Sequence, residues 1–203
     1  AINVAGNNGS GPISVVLSAN TTETGAAVLD NITWSSVTVT ATTPVTVQGS
    51  IVGAIVKLNG ADNVTIDGRI ASSGRNITIQ NNSNTAATAA VWLASVAAGN
   101  GATNNIIRNC NIACGAPQNT GTLTTIGVYI GGTTISVTAT TGIDNDNNSI
   151  IDNFITKCRY GISTRGQSAT NLGQNNTITG NIVGPASFGA DQIGKTGILA
   201  VFE

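Results

Sequence analysis

The most constraining feature of the sequence is a repeat of roughly 36 residues. A small residue followed by a β-branched residue opens a strand-like segment five times, at successive spacings of 36, 37, 34 and 36 residues. Periods of this size are typical of proteins that stack one supersecondary unit many times. The five pairs are Ala54-Ile55, Ala90-Val91, Gly127-Val128, Gly161-Ile162 and Gly197-Ile198.

Two further series of asparagines divide each repeat into three strand-like segments. One series precedes the second segment of the repeat, and the other precedes the third segment, directly afterwards. The first series is Asn63, Asn104-Asn105, Asn147-Asn148 and Asn175-Asn176, and the second is Asn76, Asn111, Asn153 and Asn181. Each repeat therefore predicts three short strands, with a tight asparagine turn between the last two.

Three short strands per repeat, joined by one tight corner and two variable loops, favour a parallel β-solenoid. Parallel strands cannot be joined by hairpins, so the chain winds once per repeat. We expect an all-β parallel β-helix of about five coils, with residues 1–203 forming a single domain. Residues 1–50 would form an irregular N-terminal coil or cap, and residues 51–203 regular coils, the last of them incomplete.

Equivalent residues of successive coils are expected to stack as ladders. Asparagines tolerate the left-handed backbone of tight corners, and their side chains can hydrogen-bond along the axis. We predict an asparagine ladder from Asn105, Asn111, Asn148, Asn153, Asn176 and Asn181, and an inward aliphatic ladder from Ile107, Ile112, Ile150, Ile155, Ile178 and Val183.

The composition excludes several classes of protein. Charged residues are only 8% of the chain, which argues against the polar surfaces of a helical bundle. The eight basic residues are scattered singly in a chain of net charge −1, so we expect no nucleic-acid partner. No apolar run approaches the ~18 residues of a membrane span, so we expect no membrane insertion. Low charge and abundant Asn and Thr favour a secreted or cell-surface protein.

Several segments resemble right-handed parallel β-helices, of pectate-lyase-like fold, in large secreted and cell-surface bacterial proteins, especially of the Bacteroidetes. The resemblance covers roughly residues 44–203, and the segments that carry it are 59–68, 102–112, 144–162 and 193–203. It implies a right-handed coil. It also implies a role as a stalk, filament, adhesin or polysaccharide enzyme, because this fold serves all of them.

The loop before the fourth repeated pair raises the question of calcium. Asp144, Asp146 and Asn148 stand at alternate positions, like the first oxygen ligands of a calcium loop. Ser149 stands where such a loop needs Gly, and Ile155 where it needs a bidentate Glu. Because asparagine pairs recur without aspartates in other repeats, an Asx-rich scaffold turn is the favoured interpretation, and calcium is the alternative.

Three cysteines allow two interpretations. Cys114 and Cys158 follow equivalent strands of adjacent coils, so they could stack closely enough for a disulfide. Packing as small apolar side chains is the simpler alternative, which also suits Cys110. A Cys–His nucleophile is excluded because the chain has no His.

An enzymatic role is not expected. The carboxylates are few, no His is present, and aromatic platforms for sugars are scarce. Asp152 and Arg108 align near the tight corner of neighbouring coils, which suggests a surface ion pair. Threonine-rich segments 38–47 and 130–142 are interpreted as ordinary strand surface, with binding of ice or polysaccharide as the alternative.

The preferred function is a rigid extracellular rod, or a subunit of a surface filament or adhesive fibre, that self-associates head to tail. Open coil ends would pair with another copy and build a filament. The runner-up is a β-helix that binds or cleaves polysaccharide. The predicted assembly residues are Gly197, Ile198, Leu199, Ala200, Val201 and Phe202 at one end and Ile13, Val15 and Leu17 at the other.

Overall fold

A computed structural model describes residues 11–31, 34–84, 87–115, 123–138, 143–187 and 189–201 of the chain. These residues form eighteen strands, and no helix occurs among them. The strands lie in three sheets of six, and every pairing within the sheets is parallel. This confirms a right-handed parallel β-helix with three strands per coil.

Each sheet takes every third strand of the chain. Sheet A contains β1 (Pro12–Leu17), β4 (Ser36–Ala41), β7 (Val64–Asp67), β10 (Ile106–Arg108), β13 (Ser149–Ile151) and β16 (Thr177–Thr179). Sheet B contains β2 (Thr21–Glu23), β5 (Val45–Gly49), β8 (Ile77–Asn81), β11 (Cys110–Cys114), β14 (Phe154–Thr156) and β17 (Ile182–Val183). Sheet C contains β3 (Ala27–Asp30), β6 (Gly53–Asn59), β9 (Thr88–Ala94), β12 (Thr125–Gly131), β15 (Tyr160–Arg165) and β18 (Thr196–Val201).

The protein has six coils rather than about five. Pro12 pairs with Ser36 only 24 residues later, so the first coil is shorter than the repeat of roughly 36 residues. Residues 1–50, which were predicted to form one irregular coil, therefore contain a short first coil, β1 to β3, and the first two strands of the second coil, β4 and β5. The segment Thr196–Val201 is the third strand of the sixth coil, so that coil has all three strands.

The inward aliphatic residues stack in register, as the spacing indicated. In sheet A, Ile107 pairs with Ile150 and Ile150 with Ile178. In sheet B, Ile112 pairs with Ile155 and Ile155 with Val183. The alignment of Ala54-Ile55 with Ala90-Val91 is wrong by one residue, because Val91 pairs with Val56 and not with Ile55. Burying these columns supplies most of the driving force for folding.

A buried asparagine ladder lies at the corner that precedes sheet A. The backbone N–H of Asn105 donates to Asn148 Oδ1 at 3.0 Å, and that of Asn148 donates to Asn176 Oδ1 at 3.0 Å. Each side-chain amide also donates to a main-chain carbonyl, as Asn148 Nδ2 does to Ala102 at 2.8 Å. The ladder therefore pairs backbone groups that the corner takes away from water.

The asparagine that stands one residue before the ladder position of each coil has a different role. Asn63, Asn104, Asn147 and Asn175 have φ between 56° and 58°, in the left-handed region. Asparagine adopts this conformation more readily than most residues with a side chain. The four are exposed, so their backbone turns the chain while their side chains face solvent.

A second ladder lies between sheets A and B, and it corrects one prediction. Asn153 Oδ1 accepts the backbone N–H of Cys110 at 2.9 Å, and Asn181 Oδ1 accepts that of Asn153 at 2.9 Å. The equivalent position in the fourth coil is therefore Cys110. Asn111 stands one residue later and pairs with Phe154, so it is not part of the ladder. Asn109 supplies the left-handed turn in this coil, at φ 52°.

Sheet C is covered on both faces in its middle coils. Every residue of β9 and β12 is buried, because residues 132–138 pack across the outer face. The Tyr129 hydroxyl donates to the carbonyl of Ser136 at 2.9 Å, and Arg165 Nη1 donates to that of Val137 at 2.9 Å. Trp92 lies beside Tyr129, with ring centroids 6.2 Å apart. The outer faces of sheets A and B are consequently the more open ones.

The two corner roles predict different costs of substitution. Asn148→Ala would leave the buried amide of Asn105 without its acceptor, so we expect a loss of about 2 to 4 kcal/mol in the free energy of unfolding. Asn147→Gly, the matched control, keeps the left-handed turn and should change stability by about 0.5 kcal/mol or less. Urea unfolding followed by tryptophan fluorescence measures both. Equal losses in the two variants would contradict the assignment of roles.

Candidate functional site

The corner between sheets A and B is expanded in the third coil only. One or two residues connect these sheets in the last three coils, and three residues connect them in the first two. In the third coil, nine residues, 68–76, separate β7 from β8. Two arginines, Arg69 and Arg75, lie in this inserted loop. We call Asp67, Arg69, Arg75, Arg108 and Asp152 the arginine corner.

Asp67 is the centre of the arginine corner. Its carboxylate accepts hydrogen bonds from Arg69 Nε at 2.9 Å and from Arg69 Nη2 at 2.8 Å. Arg108, from the adjacent coil, donates Nε at 3.0 Å and Nη2 at 2.8 Å to the same carboxylate. One buried carboxylate is thus shared by two guanidinium groups, which leaves a local excess of positive charge.

Arg75 extends the corner across two coils. Its Nε donates to the main-chain carbonyl of Asp152 at 2.6 Å. The predicted Arg108–Asp152 ion pair is wrong, because Arg108 turns back to Asp67 in the preceding coil. Three arginines and two aspartates therefore meet here, and they sum to a formal charge of +1.

The environment of Asp67 lowers the pKa of its carboxyl group. Burial by itself would raise this pKa, but the hydrogen bonds from Arg69 and the charge and hydrogen bonds of Arg108 together outweigh burial. Asp67 is therefore ionised at neutral pH and holds both arginines in place.

The sequence contains a weak signal for this corner. Arg69 and Arg75 flank Ser72-Ser73-Gly74, a turn-forming stretch, just after a strand that ends in Asp67. By itself, Asp67-Gly68 indicates only a turn. Arg108 lies 41 residues after Asp67, close to one repeat, and that spacing stacks the two residues once the inserted loop is allowed for.

The predicted calcium ligands do not point to one place. Asp144 Oδ2 accepts the backbone N–H of Gly99, which precedes β10, whereas Asp146 Oδ1 accepts that of Gln174, which precedes β16. The two carboxylates thus bond in opposite directions along the axis. Asn148 Oδ1 is engaged in the buried ladder, with both Asn105 donors. Calcium binding, the alternative interpretation of this loop, stays a prediction.

No group of three or more His, Cys, Asp or Glu side chains within the described ranges is close enough together to hold a metal ion. In the arginine corner the carboxylate of Asp67 already faces two cations, which disfavours a third.

Cys114 and Cys158 meet in the core, as their stacking predicted. All three cysteines are free thiols in the structure, and the two Sγ atoms of this pair are 2.7 Å apart. Burial raises the pKa of Cys114 well above its usual range, and burial raises that of Cys110 to about 12. These thiols are therefore protonated at neutral pH and are poor nucleophiles. A disulfide between Cys114 and Cys158 stays a prediction.

The threonine-rich segments differ in their placement. Residues 38–41 lie in β4, where Thr38 pairs with Thr65 on the outer face of sheet A. That column continues through Ile106, so the hydroxyl row is interrupted. Residues 130–138 belong to β12 and to the cover of sheet C, and residues 139–142 lie outside the described part of the chain.

The two sets of predicted assembly residues lie at opposite ends of the solenoid. Ile13, Val15 and Leu17 belong to β1 in sheet A, whereas Gly197, Ile198, Leu199, Ala200 and Val201 belong to β18 in sheet C; Phe202 lies outside the described residues. In straight stacking of one coil on another, strands of the same sheet meet. Straight stacking would therefore pair strand β18 with β3 (Ala27–Asp30), whereas pairing with Ile13–Leu17 would need a rotation of the second copy; the predicted pairing stays a prediction.

Both end coils present apolar side chains. In the first coil Val16 is 52% exposed, and in the last coil Ile182 and Ile198 are each 49% exposed. A cavity of about 400 Å³ lies inside the first coils, lined mainly by aliphatic side chains such as Val15, Leu17 and Leu29. The interior is thus less completely filled at this end than in the middle coils.

Comparison with protein-family models, with curated proteins and with solved structures found no match to this chain. A search of the described residues for a helix long and apolar enough to span a membrane found none.

The charge pairing at Asp67 predicts an acid-sensitive contribution to stability. Its folded-state pKa lies below the ordinary 3.8, so its contribution is present above that pH and is lost as pH falls through the lowered value. Asp67→Asn should be less stable than wild type at pH 7 and should lose less further stability on acidification below pH 4. Urea unfolding at pH 7 and pH 3 measures this. Parallel losses in the two proteins would contradict it.

The cysteine pair predicts a bridge on oxidation. We expect peptide mapping after refolding under oxidising conditions to recover Cys114 joined to Cys158. The bridge should raise the free energy of unfolding by about 2 to 4 kcal/mol, because it constrains the unfolded chain. Cys110→Ala is the control and should leave both results unchanged. A bridge that involves Cys110, or a pair that stays reduced, would contradict the prediction.

Proposed function

We propose that the protein is a rigid extracellular rod whose coil ends pair head to tail with other copies, as a subunit of a surface filament or adhesive fibre. The observation that carries the proposal is the pair of open ends. Among the described residues, the strands of the first and last coils each have a neighbour on one side only, and both coils expose apolar side chains. Unpaired strand edges of this kind are templates for association.

The two ends suit each other geometrically. A second copy moved along the axis by six coils, roughly 29 Å at the usual strand spacing, continues all three sheets. Strands β16, β17 and β18 of one copy would then pair with β1, β2 and β3 of the next. Such a head-to-tail contact does not close on itself, so it builds a filament. Ile198 would be covered by the first coil of the neighbour.

The extracellular location and bacterial origin belong to this proposal. The low charge and the Asn- and Thr-rich surface support a secreted protein, and the resemblance to large secreted bacterial β-helices supports the same location. A closely hydrogen-bonded solenoid is also a stiff body, as a stalk or fibre requires.

We assign no catalytic activity to this rod. In the arginine corner Asp67 is committed to two arginines, and Asp144 and Asp146 each accept a backbone hydrogen bond. General acid or base work needs a carboxyl group free to exchange a proton near neutral pH. The runner-up, a β-helix that binds polysaccharide, is favoured by the arginine corner, which the scaffold does not require.

The head-to-tail proposal predicts self-association that depends on the end coils. We expect light scattering of the purified chain to show masses above that of the monomer, rising with concentration, and electron microscopy to show filaments. Ile198→Glu would place a charge in the end-to-end contact and should return the protein to a monomer at the same concentration.

Val52→Glu is the matched control, because Val52 is an exposed apolar residue outside both end coils, in the connection before β6. It should associate as wild type does. A wild-type chain that remains monomeric at high concentration would overturn head-to-tail assembly, as would equal effects of the two substitutions.

A further inference from the structure

The inserted loop of the third coil contributes two charged side chains, Arg69 and Arg75, and its central residues do not extend the apolar core. Residues 71–74 are exposed, and Ala71, Ser72 and Gly74 have φ of 47°, 68° and 78°. Backbone hydrogen bonds between Ile70 and Ser73 close the loop on itself. Positive φ at both central residues is the geometry of a common two-residue hairpin turn, so the turn itself is ordinary, and the distinctive content of the loop is its charge. Insertions into solenoid repeats commonly map to the binding face.

The loop brings two arginines to a third. Arg69 and Arg75 stand at its two ends, and Arg108 reaches the same place from the next coil. Three of the eight basic residues of the chain therefore lie at one corner. The remaining five are distributed over other parts of the sequence.

The arginines are only partly neutralised. Asp67 offers one negative charge to Arg69 and Arg108 together. Arg75 bonds to the carbonyl of Asp152 through Nε, and within the described residues its Nη atoms have no protein partner. The side chains of Arg69 and Arg108 remain 32% and 35% exposed, so they can also reach a ligand.

We propose that the arginine corner binds an oxyanion, a carboxylate or sulfate group, carried by an acidic polysaccharide. A guanidinium group presents parallel N–H donors that match the two oxygens of such a group. Arg75 supplies two Nη groups that bond to no residue of the described part of the chain. The carboxylate of Asp67 holds the guanidinium groups of Arg69 and Arg108 in position. The proposal is independent of head-to-tail assembly, because the corner lies on the side of the rod.

The surrounding surface favours a polysaccharide over a nucleic acid. A nucleic acid would need several cations along a track, whereas this corner brings three arginines together at one point. The outer faces beside it carry short groups of hydroxyl and amide side chains, which end at Ile106 on sheet A and at Phe154 on sheet B. Thr38 and Thr65 stack on sheet A, and Thr46, Thr78 and Asn111 stack on sheet B. Such neutral polar groups offer hydrogen bonds to the hydroxyl groups of a linear sugar chain.

The experiment compares three polymers at low ionic strength by isothermal titration: polygalacturonate, dextran sulfate and uncharged dextran. We expect binding of one or both acidic polymers and none of dextran. Arg75→Gln should weaken binding about tenfold, since it removes a charged contact. Arg69→Gln is a second variant that tests the same corner. Lys195→Gln removes the same charge from the residue that precedes β18 and should bind as wild type does.

Monomeric galacturonate and inorganic sulfate form the remaining arms. If either binds with the same dependence on Arg75, the oxyanion itself is the recognised group; polymer binding without monomer binding shows that the neighbouring polar groups contribute. Both outcomes support the site. Absence of binding to either acidic polymer would overturn it, and so would equal weakening by Arg75→Gln and Lys195→Gln. Neither result bears on self-association, so this proposal and the rod can fail separately.

Discussion

The whole structure depends on satisfying backbone polar groups at the corners between parallel coils. A strand that pairs on both sides has partners for its amides, but a corner buried against its neighbours has none unless a side chain provides them. Asn148 does this with one amide group: its oxygen accepts from Asn105, and its nitrogen donates to Ala102. Because the donor and acceptor lie one coil away, each such asparagine also sets the register between coils. The aliphatic columns then stack as a consequence.

This requirement explains which parts of the fold the sequence can predict. Residues that must contact their counterparts one coil away leave a periodic trace, so the spacing alone aligns Ile107, Ile150 and Ile178 correctly. The asparagine pairs are equally periodic, although their pattern does not separate the left-handed turn at Asn147 from the buried ladder at Asn148. The prediction failed where Cys110 replaces a ladder asparagine, because a thiol leaves no pattern and the adjacent Asn111 imitates the missing residue.

The candidate site is hidden in the sequence for the opposite reason. Asp67, Arg69, Arg75 and Arg108 belong to one coil and its successor, and none of them recurs in the other repeats. A search for periodicity discards such residues as irregularities. The short first coil escapes prediction in the same way, since the step of 24 residues from Pro12 to Ser36 is well below the repeat of roughly 36 residues. Residues that do not recur from coil to coil can be interpreted only from the three-dimensional structure, because their spacing does not indicate which residues they contact.

The contrast between residues that recur in each coil and residues that occur in one coil only also helps to separate the functional hypotheses. Everything periodic in this chain is accounted for by stability along the axis, so periodic residues say little about ligands. A rod that only had to be stiff would not require an exposed inserted loop, nor a guanidinium group whose Nη atoms bond to no residue of the described part of the chain. These features cost conformational free energy and bury little apolar surface, so a contact outside the solenoid is the simplest physical reason for them. Under the two proposals, the scaffold would supply rigidity, and the expanded corner between sheets A and B would supply the contact with a ligand.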